Sequence, residues 1–308
     1  TILKYRKKIK KIIDLYSITH IHVFHAYLLD FLDKKWGIKI VADCREAFQS
    51  NVRLKYFNYN LLLKPRLFLL AIYQKLIVNN YKKATKVIAV SKASERTLIM
   101  KYGVNKEKIT IIYNGVRDLK IFYNQSQNIK KKLNIKCTDK IILSVGRVTK
   151  AKGVEDFCRI AKSYENEKNI KFIFVGGYTN KSYYENIKRK FMKNVIFTGE
   201  QDNLANFYNI SDIFLFLSHR ESFGNVLVEA MQFRLPSIVW NITSLKEIIK
   251  NNHNGYRCSF GNINDVRNKI SYLIRNQDNY NKMCRNAYFE KKKYSVSKNV
   301  NKFLDLIH

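Results

Sequence analysis

Residues 141–153 read Ile-Ile-Leu-Ser-Val-Gly-Arg-Val-Thr-Lys-Ala-Lys-Gly. An apolar run ends at Gly146, two cations follow at Arg147 and Lys152, and Gly153 then opens a stretch of helical period. This is the pattern of a buried parallel strand turning at a glycine into a helix N-terminus, where backbone N–H groups favour an anion. Two cations five residues apart on that turn suit a diphosphate. In a chain with 57 Lys and Arg they are equally explained as solvated side chains, so the segment speaks for the fold before it speaks for the chemistry.

The same alternation of short apolar runs and helical stretches extends in both directions. Candidate strands are Ile21–Phe24, Lys39–Ala42, Lys86–Val90 and Ile109–Tyr113, then Ile141–Val145, Lys171–Val175, Val195–Phe197, Ile213–Leu217 and Ser237–Trp240. Continuous β-branched strands alternating with helices indicate an α/β chain with parallel sheets. A length of 308 residues argues for two domains. Asn114–Gly115 and the polar stretch Asn124–Lys132 lie between the two strand sets. The expected division is therefore 1–124, 125–290, and a terminal helix over 291–308, amphipathic through Val296, Val300, Phe303, Leu304 and Ile307, that packs back on the first domain. No glycine precedes Gly37, although a doubly wound domain opens with a strand, a glycine turn and a helix. An opening βαβ portion is expected to be lacking. Thr1–Leu15 instead predicts a helix with six cations in eleven residues, either a solvated outer helix or a surface for membrane or acceptor.

Composition narrows the function classes. The formal charge of +33 favours polyanionic surroundings such as nucleic acid, anionic lipid or phosphorylated small molecules, and does not choose among them. Abundant Lys, Asn, Ile and Tyr with 11 Gly and 2 Pro also fit a biased base composition. The basic residues are spread, 25 against 8 acids up to residue 124 and 32 against 16 beyond it, so no specific nucleic-acid module is indicated. Cys44, Cys137, Cys158, Cys258 and Cys284 lack metal-ligand or redox spacing, which suits a reducing, cytoplasmic compartment. The longest apolar run, Leu67–Tyr73, is far short of the ~20 residues that span a bilayer. With Leu61–Leu63 and neighbouring Lys64, Arg66 and Lys75 it reads either as a buried helix or as a peripheral contact with anionic membrane at the inner face.

The second informative stretch, residues 218–231, reads Ser-His-Arg-Glu-Ser-Phe-Gly-Asn-Val-Leu-Val-Glu-Ala-Met, following a strand and opening a helix near Phe223. Glu221 on the loop and Glu229 eight residues later suggest one ligand touched at two points. Carboxylates accept hydrogen bonds from sugar hydroxyls, and helix N–H groups favour a phosphate, so a nucleotide-sugar is chemically reasonable. Both acids also read as surface residues. Glu229 nevertheless stands nearly alone in an apolar run, and an isolated carboxylate there needs a partner.

Taken together, Gly-Arg-x4-Lys-Gly (146–153), Glu221-x7-Glu229, Ile-Ile-Tyr-Asn-Gly-Val (111–116) and Val-Ile-Ala-Val-Ser (87–91) resemble the family 4 retaining glycosyltransferases over about residues 15–300. The resemblance implies the GT-B fold, two Rossmann-like domains facing across a cleft, with the nucleotide-sugar donor on the second. It places Arg147 and Lys152 at the donor diphosphate, Glu221 at the transferred sugar and Glu229 at the ribose. Gly146, Ser222, Phe223, Gly224, Asn225 and Val226 would line the sugar and phosphates, and Gly176 would border the nucleoside. On the acceptor side it places His25 and the Asp43-Cys-Arg45-Glu46 group, both at strand ends; His25 reads equally as a satisfied cleft-edge imidazole, and His20, His22, His219 and His253 read as structural or exposed.

The implied reaction is transfer to an acceptor hydroxyl on a glycan or lipid-linked molecule, in cell-surface polysaccharide or glycolipid synthesis. It retains anomeric configuration by front-face attack and uses no metal and no cofactor beyond the donor, in keeping with the lack of an Asp-x-Asp sequence. Two features depart from the family: Asn241-Ile-Thr-Ser-Leu-Lys-Glu247 lacks the usual glycines, and the opening Gly-rich loop is missing. A catalytically silent nucleotide-sugar-binding chain, a sugar-nucleotide epimerase and a nucleic-acid-binding protein stand as competing readings.

Overall fold

The computed structural model describes residues 2–24, 26–44, 81, 83–242 and 244–307. In chain order these form α1 (Ile2–Leu15), β1 (His20–Val23), β2 (Lys39–Cys44), β3 (Lys86–Ala89), α2 (Lys92–Tyr102), β4 (Ile109–Ile111), α3 (Tyr123–Lys132), β5 (Lys140–Val145), α4 (Val154–Lys162) and β6 (Ile170–Val175). There follow α5 (Lys181–Phe191), β7 (Ile196–Gly199), α6 (Leu204–Ile210), β8 (Ile213–Phe216), α7 (Asn225–Gln232), β9 (Ser237–Trp240), α8 (Leu245–Ile248), β10 (Gly255–Cys258), α9 (Ile263–Arg275), α10 (Gln277–Lys291) and α11 (Val296–Ile307). The chain divides into two compact units, 1–114 with 299–308, and 115–298.

The first unit holds a parallel sheet in the order β1-β2-β3-β4. One face packs Ile40, Ala42, Val87 and Ala89 against Ile13 of α1 and Leu98 of α2. The other carries Val41, Ile88 and Ile112 beneath Phe303, Leu306 and Ile307 of α11. The Val-Ile-Ala-Val-Ser segment has a local explanation. Its apolar residues form β3, and Ser91 caps α2 by accepting from the Ser94 N–H at 3.0 Å.

The second unit is a six-stranded parallel sheet in the order β10-β9-β8-β5-β6-β7. Successive connections run one way from β5 to β7 and the other way from β8 to β10, so the order reverses between β5 and β8. Open α/β sheets bind ligands at such a switch point, outside the carboxyl ends of the strands. Strand β8 is a continuous apolar run and β5 is apolar apart from Lys140 and Ser144, as parallel strands covered on both faces are. Helix α4 buries Val154, Phe157, Ile160 and Ala161 on one stripe and leaves Arg159 and Lys162 exposed, and Phe157 meets Phe172 and Phe174 edge to face.

Three features differ from expectation. The units divide at Asn114/Gly115 rather than at residue 124, because residues 119–122 are already bound to the second unit: the Leu119 N–H donates to Gln232 Oε1 and its carbonyl accepts from Gln232 Nε2, and the Phe122 N–H donates to Asn206 Oδ1. The polar stretch 124–132 is helix α3, held on α6 by a Ser126–Asn206–Gln125 hydrogen-bond network. A tenth strand, Gly255–Cys258, pairs with β9 at the sheet edge. Leu61–Leu63 and Leu67–Tyr73 lie outside the described residues. Among the described residues no helix is long and apolar enough to cross a membrane.

Candidate functional site

The loops after β5 and β8 emerge on either side of the switch point. After β5 the chain passes Gly146, an exposed Arg147 and a short 3-10 turn over Lys150–Lys152 before α4. Gly153 is obligatory by two criteria: its φ is +67°, and a Cβ there would sit 1.8 Å from the Leu217 carbonyl oxygen at the end of β8. At Gly176 a Cβ would lie 2.0 Å from the Gly146 carbonyl oxygen, so the glycine at 176 lets the ends of β5 and β6 close on each other. The closing glycine of the Gly-Arg-x4-Lys-Gly segment thus has a packing cause apart from any ligand.

Across the switch point the Lys152 ammonium is ion-paired with the Glu221 carboxylate. The Lys152 side chain is 26% exposed and that of Glu221 10%. The ammonium also lies 5.7 Å from the centre of the Phe216 ring. The two loops are joined by backbone as well: the His219 N–H donates to Ala151 O at 2.9 Å, and the Ser218 hydroxyl reaches the same oxygen at 3.2 Å. Ser244 Oγ donates to Glu221 O at 2.8 Å. Helix α7 begins at Asn225, two residues later than the sequence suggests, with buried Gly224 preceding it and Phe223 packed edge-on to Tyr294. Ser222 and Val226 are half-buried and Asn225 is exposed.

Glu229 lies in the second turn of α7, and its isolation in the sequence is resolved by Tyr208. That phenol is fully buried and donates to Glu229 Oε2 at 2.8 Å. Burial lifts the Glu229 carboxyl above the usual carboxylate range, with the Tyr208 hydrogen bond pulling it part of the way back. Burial and the adjacent carboxylate together push the Tyr208 phenol well above its ordinary value.

Of the predicted donor residues, the structure brings Lys152 to Glu221 and Gly146 to Gly176. Arg147 makes no hydrogen bond or ion pair among the described residues. In the first unit Asp43 is buried at the end of β2, 3.0 Å from His22 Nε2, and the His22 ring lies between Phe24 and Phe303. His25, Arg45 and Glu46 lie outside the described residues. Sequence reasoning passed over Tyr208, His22 and the pairing of His219 with Asp156. Only His219 carried a signal, its place between a strand end and Glu221.

Comparison with known proteins follows the same division. Residues 125–289, more than half of the chain, match the family model described as glycosyl transferases group 1, and residues 1–118 match that for glycosyltransferase family 4. A Bacillus anthracis N-acetyl-alpha-D-glucosaminyl L-malate synthase is 29% identical over 185 residues, 59% of this chain and 48% of that protein. A Streptococcus pneumoniae alpha-galactosylglucosyldiacylglycerol synthase is 27% identical over 258 residues, 80% of this chain and 65% of that one. The chain spans about half the length of the first curated relatives it matches. The structure of Anabaena HepE in complex with UDP and glucose superimposes with a TM-score of 0.79 at 18% identity, over 98% of this chain and 80% of that one, which shows the fold. The parallel sheets, the paired loops at the switch point and the match over both units lead to one conclusion: the chain belongs to the family 4, group 1 glycosyltransferases and has the GT-B fold.

Proposed function

We propose that the chain is a retaining glycosyltransferase that moves a sugar from a nucleotide-diphosphate sugar to an acceptor hydroxyl on a glycan or lipid-linked molecule. The observation that carries the reading is the contact of Lys152 with Glu221 across the switch point. It puts a cation suited to a diphosphate beside a carboxylate suited to sugar hydroxyls, at the place where such sheets take ligands. Paired with each other, the two charges are neutralised. An incoming diphosphate takes over Lys152 with Arg147 and releases Glu221 to accept from the sugar.

The N–H groups at the start of α7, from Gly224 to Val226, add positive potential, and Glu229, held by Tyr208, accepts from ribose hydroxyls. The work of the site is to stabilise negative charge growing on the leaving diphosphate. The anomeric C–O bond to phosphate breaks, the acceptor oxygen bonds to the same face, and its proton passes to the departing phosphate oxygen, without a metal. The acceptor side, with Asp43, His25, Arg45 and Glu46, belongs to the first unit. The names of the relatives, a glucosaminyl malate synthase and a glycosyl diacylglycerol synthase, support this class of reaction and a role in glycolipid or polysaccharide synthesis.

A thermal-shift screen against UDP-, GDP- and ADP-sugars tests the donor, since binding to the folded state raises stability by RT ln(1+[L]/Kd). Stabilisation by one nucleotide class is expected, and none by any class overturns the proposal. The anomeric configuration of the product, read by proton NMR, tests retention. Peripheral contact with anionic membrane through Leu61–Leu63 and Leu67–Tyr73 belongs to the same proposal, and equal flotation with neutral and anionic vesicles overturns it.

A further inference from the structure

We infer that His219, acting through Asp156, is a positioning residue that sets Glu221 for recognition of the glycosyl half of the donor. The inference rests on the donor-site reading above and extends it to residues with no ligand contact of their own. Asp156 lies in the first turn of α4, only 9% exposed. Its Oδ2 pairs with His219 Nε2 at 2.7 Å and accepts from Trp240 Nε1 at 3.3 Å, while Oδ1 faces the Arg159 guanidinium at 3.7 Å. The His219 ring rests on the edge of Phe260, 5.1 Å between centres.

The geometry explains why this pair governs Glu221. The loop after β8 is tied to the loop after β5 at Ala151, one residue before Lys152, through the Ser218 hydroxyl and the His219 N–H. It is tied to α4 at Asp156, beyond Lys152, through the His219 imidazole. Beyond Arg220 it is tied again where Ser244 holds Glu221 O. Lys152 and Glu221 therefore share one frame, and the imidazole is the only side chain of residues 218–221 that joins this loop to α4 among the described residues. Recognition groups lose affinity steeply when misplaced by even 1 Å. Trp240 keeps Asp156 hydrogen-bonded when His219 is replaced, so the core is left intact.

Two variants, His219→Leu and His219→Gln, are compared with wild type for affinity toward the nucleotide-sugar selected by the panel and toward its nucleoside diphosphate alone. The readout is the ratio of the two, the gain conferred by the sugar. In His219→Leu that ratio falls on the order of tenfold while nucleoside diphosphate affinity and melting temperature hold, and His219→Gln, whose amide can donate in the same place, restores the ratio. An unchanged ratio in His219→Leu overturns the inference, as does a loss of nucleoside diphosphate affinity and thermal stability in step with it, which is the mark of a structural role. A wild-type chain that binds no member of the panel overturns the donor-site reading and this inference with it.

Discussion

Replacing Tyr208 by Phe removes one oxygen and keeps the ring, so the contacts with Phe214 and Phe233 at 5.7 and 5.5 Å survive. What is lost is the 2.8 Å hydrogen bond to Glu229 Oε2, together with a long 3.4 Å contact to Val226 O. A hydrogen bond to a charged group contributes about 1.5–3 kcal/mol, and water reaching the part-exposed carboxylate offsets some of the loss, so the expected cost is about 2 kcal/mol at alkaline pH. The sign of its pH dependence follows from Glu229. Burial already raises that carboxyl above the usual range, and the Tyr208 bond, which favours the ionised form, opposes the rise. For a group whose folded pKa lies above the unfolded one, the contribution to stability is fully present below the unfolded value and is lost as pH climbs through the folded value. Deleting the phenol pushes the folded pKa up further, so the deficit of the variant grows between pH 5 and pH 8.

Trp240 is fully buried in the second unit, and the only other Trp is Trp36. In a Trp36→Phe background, urea unfolding followed by Trp240 fluorescence reports the second unit alone. The expected deficit is about 2 kcal/mol at pH 8 and about half of that or less at pH 5, with an unchanged denaturant slope. A deficit equal at the two pH values, or larger at pH 5, refutes the reasoning.

Other consequences are simpler to check. If the proposed mechanism holds, Lys152→Ala removes a cation from the leaving diphosphate and lowers turnover about 10²–10³-fold in steady-state kinetics; unchanged turnover would take Lys152 out of the mechanism. Burial pushes the Glu290 carboxyl up, but hydrogen bonds from Lys250 and Lys293 outweigh it and hold the group below the usual range. Its stabilisation is present above the unfolded carboxylate pKa and lost as pH falls through the folded one, so Glu290→Gln costs about 1 kcal/mol at pH 7 and nothing in strong acid, as thermal melts across pH will register. Burial raises the thiols of Cys158 and Cys258 to about 12, whereas Cys137 is exposed. A thiol-specific chromogenic reagent is expected to label Cys137 in the folded chain and to reach Cys158 and Cys258 only after unfolding, a prediction undone by fast labelling of either.

How much of this is legible in the residues depends on which force builds each element. Strands such as Ile141–Val145 and Ile213–Phe216 announce themselves because burial on both faces demands predominantly apolar runs. Gly255–Cys258 does not, since its Gly-Tyr-Arg-Cys sequence has the mixed character of an edge. Helix α3 is invisible to hydrophobic period because it is fastened by Ser126 and Gln125 to Asn206 rather than by apolar packing, and a polar tract reads as a linker. At the site, Lys152 stands out as a charge beside Gly153 and Glu221 as an acid three residues before Gly224. Tyr208 sits in an ordinary apolar helix, and Asp156 looks like any acid in a first helical turn. Their roles come from partners roughly 20 and 60 residues away, and pairing at that range is set by the sheet order rather than by local propensity.

Helix α11 sets a timetable for biosynthesis. Phe303, Leu306 and Ile307 cover Val41, Ile88 and Ile112, yet they are translated about 190 residues after the last of these. The unit made first is therefore the one finished last: its sheet waits without this cover while the entire second unit emerges and folds, and contacts so distant in sequence close slowly. A nascent chain in which α11 has not yet emerged would carry a folded second unit attached to an open, apolar face, which makes the synthesis of Phe303 to Ile307 a checkpoint for the first unit.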